Sequence, residues 1–452
     1  MDEFVQTVKD LLETHQWQEL KGLLAPKNPN DLAHIFAEFV PSERAVLFRL
    51  LEKQEAVEVF ESLPLEEQQE LLGSFKQEQL REIVEHMSPD DRAYMLDEVP
   101  AKVAKKLLGL LTPEERAATA LLLGYGENTA GRIMTPEYID LKSFVTVGQA
   151  LEKIRRVGLG KETIYYSYVT DEKRQLLGIV SIRQLVLAEP QIQIADIMQR
   201  DIIYAHTDDD QEEVAHKMQK YDLLAIPVVD REDRLVGIVT HDDIIDIIQE
   251  EVTEDIYRQS ALEVPEPSYF KSRMLTVVGS RLLWVIPMII IENFNGYIIN
   301  QETEILRVLV SLAAFVPLIT STGGNMGSQT SSVFVRGLAL KEVSARNAIS
   351  LLVREVGIGF LMGLSLAIFA TIMVQWIAGN VWVTIIVGLS LLLNATLTTL
   401  LGASLPLIFS RLGFDPAIVS GPLISTMIDV LGIVTYFQLA GLVLSWTSVM
   451  PS

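Results

Sequence analysis

From Val356 to Ser410 the chain carries no charged residue, a run of 55 uncharged positions. About 20 apolar residues already span a bilayer, so one helix cannot use the run and it must fold back. Gly379-Asn380 is the natural turn. Further apolar blocks lie at 275–300, 305–335 and 417–447. The pattern predicts five transmembrane helices, and the central run is too long for a buried core helix of a soluble domain. Ahead of these blocks the pattern changes. Apolar residues recur at helical spacing in short stretches, as in Leu71, Leu72, Phe75 and Leu80, Ile83, Val84. Val40-Pro41-Ser42-Glu43-Arg44, Leu63-Pro64-Leu65-Glu66-Glu67, Ser88-Pro89-Asp90-Asp91-Arg92 and Thr112-Pro113-Glu114-Glu115-Arg116 are versions of one phrase. Their prolines step by 23, 25 and 24. Each phrase reads as a helix start, with Pro in the first turn and acids against the positive end of the dipole. At two of them a Ser or Thr can cap. A period near 24 allows two short helices per unit, which predicts a small α-solenoid over residues 1–130. A plain helical bundle is the alternative.

Gly124-Tyr125-Gly126-Glu127-Asn128 breaks the helical pattern, and a second self-similarity follows. Residues 168–181 (YVTDEKRQLLGIVS) match residues 227–240 (PVVDREDRLVGIVT). Each copy predicts strand, polar turn, strand, then a Ser or Thr opening a helix. A helical stretch precedes each copy (Val147 to Val157, Gln211 to Tyr221), and each unit begins near a Met, Met134 or Met198. The doubled unit resembles the CBS domain pair, an α/β architecture, over roughly 134–255. That resemblance implies an adenine-nucleotide cleft, with ATP as the candidate ligand. The second copy keeps the family's Thr and Asp as Thr240 and Asp243, whereas the first has Ser181 but Gln184. Tyr165, Tyr166 and Pro227 would line the adenine pocket. A purely structural cleft is the other reading.

Charge sharpens this division. The chain has 37 basic and 59 acidic residues, a net of −22. Only 9 of the basic and 7 of the acidic residues lie at or after Lys271, so the front is near −24 and the back near +2. One uniform soluble globule is excluded, and so is a nucleic-acid partner, which needs a basic face. The absence of Cys excludes disulfides and thiolate metal sites. Acids crowd 208–213 and the series Asp242, Asp243, Asp246, Glu250, Glu251, Glu254, Asp255. Positions 243, 246, 250 and 254 share one helix face, where like charges repel. The face is either simply solvated or completed by hydrated divalent cations, which take oxygen ligands. Lys and Arg alternate between the loops. They occur at Lys271, Arg273 and Arg281, at Arg336, Lys341 and Arg346, and at Arg411, while 300–304 is acidic and the Gly379 turn has none. This places the N-terminal half in the cytoplasm and the C-terminus outside. Met1-Asp2-Glu3 is acidic with no apolar run behind it, so no signal peptide is expected.

Charges inside the apolar blocks are few: Glu292, Arg307, Glu355 and Asp429. Such residues are costly in lipid and are functional candidates. Glu292 and Arg307 are expected near membrane ends, where they can snorkel. Asp429 lies well inside the last span and must face protein, water or an ion. The second span holds Pro317 to Thr330 (PLITSTGGNMGSQT), with three Gly, two amides and many hydroxyls. That composition suits close packing around a hydrated path, with polar helix–helix contact as the alternative.

The whole chain resembles the MgtE family of bacterial magnesium channels. The motifs are Gly323-Gly324-Asn325 with Gln329, Thr253-Glu254-Asp255, Asp415-Pro416-Ala417, and Pro422 to Asp429. The resemblance implies four parts: residues 1–130, the CBS pair 131–250, an acidic linking helix 251–273, and a five-helix all-α pore domain 274–452. It implies a homodimer in the cytoplasmic membrane, with Asp429 of both chains holding a hydrated Mg²⁺ and Glu355 near the pore. It also implies closure by cytosolic Mg²⁺ at Glu58, Asp90, Asp210, Glu212, Asp222, Asp243, Asp246, Glu251, Glu254 and Asp255. Tyr94 stands where a further sensor acid is expected, and Gly421 and Ser425 stand where Asn and Ala are usual. An ion-coupled secondary transporter is the alternative function. An enzyme is not expected: no Walker-type loop, His-Glu-x-x-His or Gly-x-Ser-x-Gly occurs.

Overall fold

A computed structural model of the chain describes residues 2–262, 273–344, 346–418 and 421–446. Lys271, residues 263–272 of the expected linking helix and the last residues after Trp446 lie outside the described residues. The chain divides into two compact units, Met1–Glu251 and Val252–Ser452.

The first unit opens with ten short helices. They are α1 (Asp2–Glu13), α2 (Trp17–Leu24), α3 (Pro29–Ala37), α4 (Pro41–Phe48), α5 (Lys53–Glu61), α6 (Leu65–Ser74), α7 (Gln77–His86), α8 (Pro89–Glu98), α9 (Ala101–Leu108) and α10 (Pro113–Leu123). Pro41, Pro89 and Pro113 occupy the first turns of their helices. Ser88 and Thr112 cap, their hydroxyls accepting from the amides of Asp91 and Glu115. One position carries the period more faithfully than the prolines do. Arg44, Gln68, Arg92 and Arg116 recur every 24 residues. Each donates five residues back, to the carbonyls of Phe39, Leu63, Met87 and Leu111. A long polar side chain thereby satisfies a carbonyl left over where the preceding helix ends. Helices pack on their next-but-one neighbours, α3 on α5, α4 on α6, α5 on α7 and α7 on α9. Their shared core is built around Phe36, Phe48, Phe60 and Phe75, with edge-on ring contacts of 5.4 and 5.5 Å from Phe48 to Phe36 and Phe75.

The same unit then forms two three-stranded sheets. After α11 (Ala130–Ile133) come β1 (Asp140–Lys142), α12 (Val147–Val157), β2 (Tyr166–Thr170), β3 (Leu176–Ser181), α13 (Ile182–Leu187) and α14 (Ile194–Ile197). The second copy has β4 (Ala205–His206), α15 (Gln211–Lys220), β5 (Ala225–Val229), β6 (Leu235–Thr240) and α16 (His241–Gln259). In each sheet the first two strands are parallel and the last two antiparallel. The registers are copies: Tyr166 opposes Ser181 and Ala225 opposes Thr240, each ladder with one irregularity near its end. The turns match as well. Asp171 Oδ1 accepts from the amides of Lys173 and Gln175, and Asp230 Oδ1 from those of Glu232 and Arg234. The leading methionines explain themselves by crossing between copies. Met134 lies against Gly237 and Met198 against Gly178, so closely that any side chain at either glycine would collide.

In the second unit, four helices are long and apolar enough to cross a membrane: α17 (Met274–Gln301), α20 (Ala348–Ala378), α21 (Val381–Arg411) and α22 (Gly421–Trp446). The block expected as one span at 305–335 is interrupted. It comprises α18 (Thr303–Val308), a 3-10 turn over Val310–Phe315, and α19 (Val316–Ala339). Pro317 sits in the first turn of α19, which fixes its start there. At 24 residues α19 has the length of a span, but it is more polar than the other four. Gly379 takes a left-handed φ of +60° and ends α20, and Asn380 caps α21 by accepting from the amides of Trp382 and Val383. α19 packs on both α21 and α22, while α20 packs on α21.

The periodic side chains differ in burial, and this gives a stability expectation. Arg92 is 2% exposed and also reaches Thr119 Oγ1, whereas Arg116 is exposed. Arg92→Ala should cost about 1–3 kcal/mol, and Arg116→Ala distinctly less. Thermal unfolding of the detergent-solubilised chain measures both; equal effects would remove the buried-cap explanation of the period.

Candidate functional site

The start of α8 and the start of α16 bring acids together. Asp90 and Asp91 stand in the first turn of α8, and Asp242, Asp243 and Asp246 in the first turns of α16. Ser88 Oγ donates to Asp91 Oδ2 at 2.8 Å, and the Ser88 amide donates to Glu61 Oε1 at 3.2 Å. Asp243 Oδ2 accepts from the Thr240 hydroxyl at 2.5 Å. Asp90 Oδ1 is buried with no hydrogen-bond partner. Burial, then the neighbouring Asp91 and Glu162, push Asp90 well above the usual carboxylate range. Burial, then Asp90, do the same to Asp243. Loss of solvation and the facing charges of Asp243, Asp242 and Asp91 hold Glu162 at about 7. Burial and Asp91 take Glu61 to about 7. Burial with Asp242 raises Asp246 and, with Asp242 and Asp246 acting more weakly, Asp91. The shared causes are burial, which comes first for each group, and then the neighbouring carboxylates.

A proton or a metal cation can relieve such a cluster. Among the described residues no three His, Cys, Asp or Glu side chains converge as direct ligands of one ion. The donor set is all oxygen and is spread over several elements. That fits a cation that keeps its water shell, as Mg²⁺ does. Tyr94 sits beside this centre and donates from its hydroxyl to Glu250 Oε1 at 2.8 Å. It supplies by direct hydrogen bond a link from α8 to α16 that an ionised acid could not make without a cation between them.

The other expected sensor residues fall elsewhere. Asp210 caps α15, accepting from the Glu212 amide. Asp222 is exposed in the turn after α15 with a φ of 51°. Glu251 accepts from Gln211 Nε2 at 2.8 Å. Glu58 is exposed on α5 and acts electrostatically on Glu61. In the second unit, Arg258 pairs with both Glu254 and Asp415, and burial followed by Asp415 raises Asp255. Glu61 and Glu162 were not singled out in the sequence. Glu61 lies three residues after Glu58 and could have been found by helical spacing; Glu162 follows an irregular Gly158–Gly160 turn and had no periodic signal. Of the expected nucleotide residues, Thr240 and Asp243 bond each other, Ser181 bonds Gln184 Oε1, Tyr165 is exposed and Pro227 is buried in β5.

In the second unit, Asp429 is the ninth residue of α22, roughly 12 Å into the helix. The backbone of α19 closes on it. A methyl group at Gly324 would stand 2.4 Å from Ser425 Oγ and 3.7 Å from Asp429 Oδ1. At Gly327 it would stand 1.9 Å from Ile428 Cδ1. Ser328 Oγ donates to the Gly421 carbonyl at 3.2 Å. Glycine is therefore required for this approach. Glu292, expected near a membrane end, lies nine residues before the C-terminal end of α17 and is exposed. Glu355 is half-buried on α20.

Comparison with known proteins supplies the context. Residues 316–439 match the MgtE divalent cation transporter family, 27–128 the MgtE intracellular N domain, and 130–190 and 194–250 CBS domains. The magnesium transporter MgtE of Thermus thermophilus is 39% identical over 340 residues, 75% of each chain. That of Bacillus subtilis is 36% identical over 355 residues, 78% of each chain. The solved cytosolic domain of an Mg²⁺ channel MgtE in complex with ATP is 41% identical, with a TM-score of 0.52, over 54% of this chain and 99% of that one. The soluble part of a magnesium transporter is 32% identical, also at 0.52, over 56% and 99%.

The raised acids fix a sign for the pH dependence. A carboxylate whose folded pKa exceeds its unfolded value binds protons more tightly when folded, so stability grows as pH falls through the folded pKa toward the unfolded one. With Glu61 and Glu162 near 7, the metal-free first unit should gain thermal stability between about pH 8 and about pH 5.5. Saturating Mg²⁺ at the higher pH should give a comparable gain and flatten the dependence. A melting point that falls on acidification in chelator would contradict the crowding.

Proposed function

The chain belongs to the MgtE family of divalent cation transporters, and from that premise we propose that it is a Mg²⁺-selective channel for uptake across the bacterial cytoplasmic membrane. The observation that carries the proposal is the approach of Gly324 of α19 to Ser425 and Asp429 of α22, the latter a carboxylate within a span. An ionised Asp at that depth needs water or a cation. Mg²⁺ dehydrates reluctantly, so the carboxylate would accept hydrogen bonds from the ion's waters instead of displacing them. Two chains of a homodimer would offer two such carboxylates to one ion, which removes their mutual repulsion. In this reading α19 is the fifth span, the N-terminus is cytoplasmic and the C-terminus outside. The ten-helix region 1–130 is a solenoid, followed by the CBS pair 131–250, a linking helix 251–273 and the pore domain 274–452.

Regulation follows from linkage. Cytosolic Mg²⁺ would bind among the acids of the soluble half: Asp90, Asp243 and Asp246 at α8 and α16, with Glu58, Asp210, Glu212, Asp222, Glu251, Glu254 and Asp255. Ions close a gate only by binding the closed state better than the open one. Filling acids that repel when empty supplies that difference. Glu355 is assigned to the neighbourhood of the pore. The ATP-bound relative supports a nucleotide at Tyr165, Tyr166, Ser181, Pro227, Thr240 and Asp243. The relatives' naming as transporters accords with a non-enzymatic role.

The second reading is an ion-coupled Mg²⁺ transporter, and Glu292, a second carboxylate within an apolar helix, is the observation that favours it, since coupling uses titratable groups within the membrane. Flux into liposomes under imposed pH and Na⁺ gradients separates the two: uptake that follows only the Mg²⁺ gradient and voltage supports the channel.

Two outcomes are expected in the same assay. Asp429→Ala should abolish Mg²⁺ uptake while the protein remains folded, and normal flux in that variant would remove Asp429 from the path. Deletion of residues 1–130 should leave a conducting protein that cytosolic Mg²⁺ inhibits less; unaltered inhibition would take the helical region out of sensing.

A further inference from the structure

Asn394 lies in the middle of α21 and is 1% exposed. Its Nδ2 donates to the Ile319 carbonyl of α19 at 2.9 Å. Its Oδ1 is buried and has no hydrogen-bond partner. The amide is held between two glycines on different helices. A methyl group at Gly323 of α19 would stand 2.6 Å from Nδ2, and one at Gly432 of α22 would stand 3.3 Å from Nδ2 and 3.4 Å from Oδ1. Both glycines adjoin the Asp429 site. Gly323 precedes Gly324, the residue pressed against Ser425 and Asp429, and Gly432 is one helical turn after Asp429.

Burying a primary amide among apolar helices with half its capacity unmet is unfavourable. A Leu at this position would avoid that cost, and no hydrogen bond to α22 depends on the Asn. What the amide does supply is a rigid polar spacer, anchored to the α19 backbone on one side and filling the gap at Gly432 on the other. We propose that Asn394 is a positioning residue for ion passage: it sets the separation of α19 and α22 and so the geometry in which Asp429 meets a hydrated divalent cation. The inference rests on the assignment of Asp429 to the ion path. A hydrated ion is recognised through the distances to its waters, so a change in helix separation acts on apparent affinity and on discrimination between cations.

The test uses the full chain in liposomes with a Mg²⁺-sensitive dye, and Co²⁺ as competitor. Asn394→Leu should raise the half-saturating Mg²⁺ concentration by about tenfold to a hundredfold, the usual effect of a misplacement near 1 Å, and should change the Co²⁺ to Mg²⁺ preference. Gly432→Ala, which presses on the same amide from α22, should move both quantities in the same direction by less. If Asn394→Leu does not fold, Gly432→Ala decides alone by the same two readouts. A lower maximal flux with half-saturation and preference unchanged would assign Asn394 to packing and overturn the proposal. Asp429→Asn serves as the separating arm. If it conducts normally, the ion-path reading fails and the proposal with it. If it abolishes flux while the variants at 394 and 432 behave as wild type, only the proposal fails.

Discussion

Carboxylates on α8, on the loop at Glu162 and on the first turns of α16 stand close enough to raise one another's proton affinity. None of the helices that carry them would favour this arrangement for its own sake. Two helix starts attract negative charge through their dipoles, but each contributes only about 0.3–1 kcal/mol at an exposed site. Asp90 Oδ1 is buried without a partner, and Glu61 and Glu162 sit at about 7. Such a contact is stabilised by whatever neutralises it, a proton or a cation. A hydrated divalent cation does so without strict ligand geometry, which suits acids that do not converge on one point.

The membrane unit solves a related difficulty differently. There Asp429 lies half-buried within a span, and the backbone of α19 at Gly324 comes close to it and to Ser425 on α22. Gly324 and Gly327 make room on α19, and Asn394 fills the space that the same glycine-rich stretch leaves toward α21. The polar character of α19 is what keeps it apart from the four strongly apolar helices. In both units, oxygen donors are assembled with too little positive charge among the side chains.

Much of this was legible in the chain. The proline phrases marked real helix starts, with Ser88 and Thr112 capping as their identities required. The doubled 14-residue segment returned as two sheets of the same register. Gly379-Asn380 turned where the charge-free run needed it. Other features were not legible because they depend on distant partners. Arg44, Gln68, Arg92 and Arg116 keep the 24-residue period more strictly than the prolines, yet their meaning lies in carbonyls five residues back. Glu162 joins the acids only once α8 and α16 are placed beside it. Arg258 carried no signal in the sequence, and it pairs with both Glu254 and Asp415.

We propose that divalent cation completes the contact between α8 and α16. Hydrogen exchange of the full-length protein, followed across a Mg²⁺ titration, measures this directly. Amides in Pro89–Glu98 and in the first turns of His241–Gln259 should gain protection together, with the same midpoint at which Mg²⁺ inhibits flux. Full protection of both segments in chelator, unchanged by Mg²⁺ while flux inhibition persists, would contradict the account.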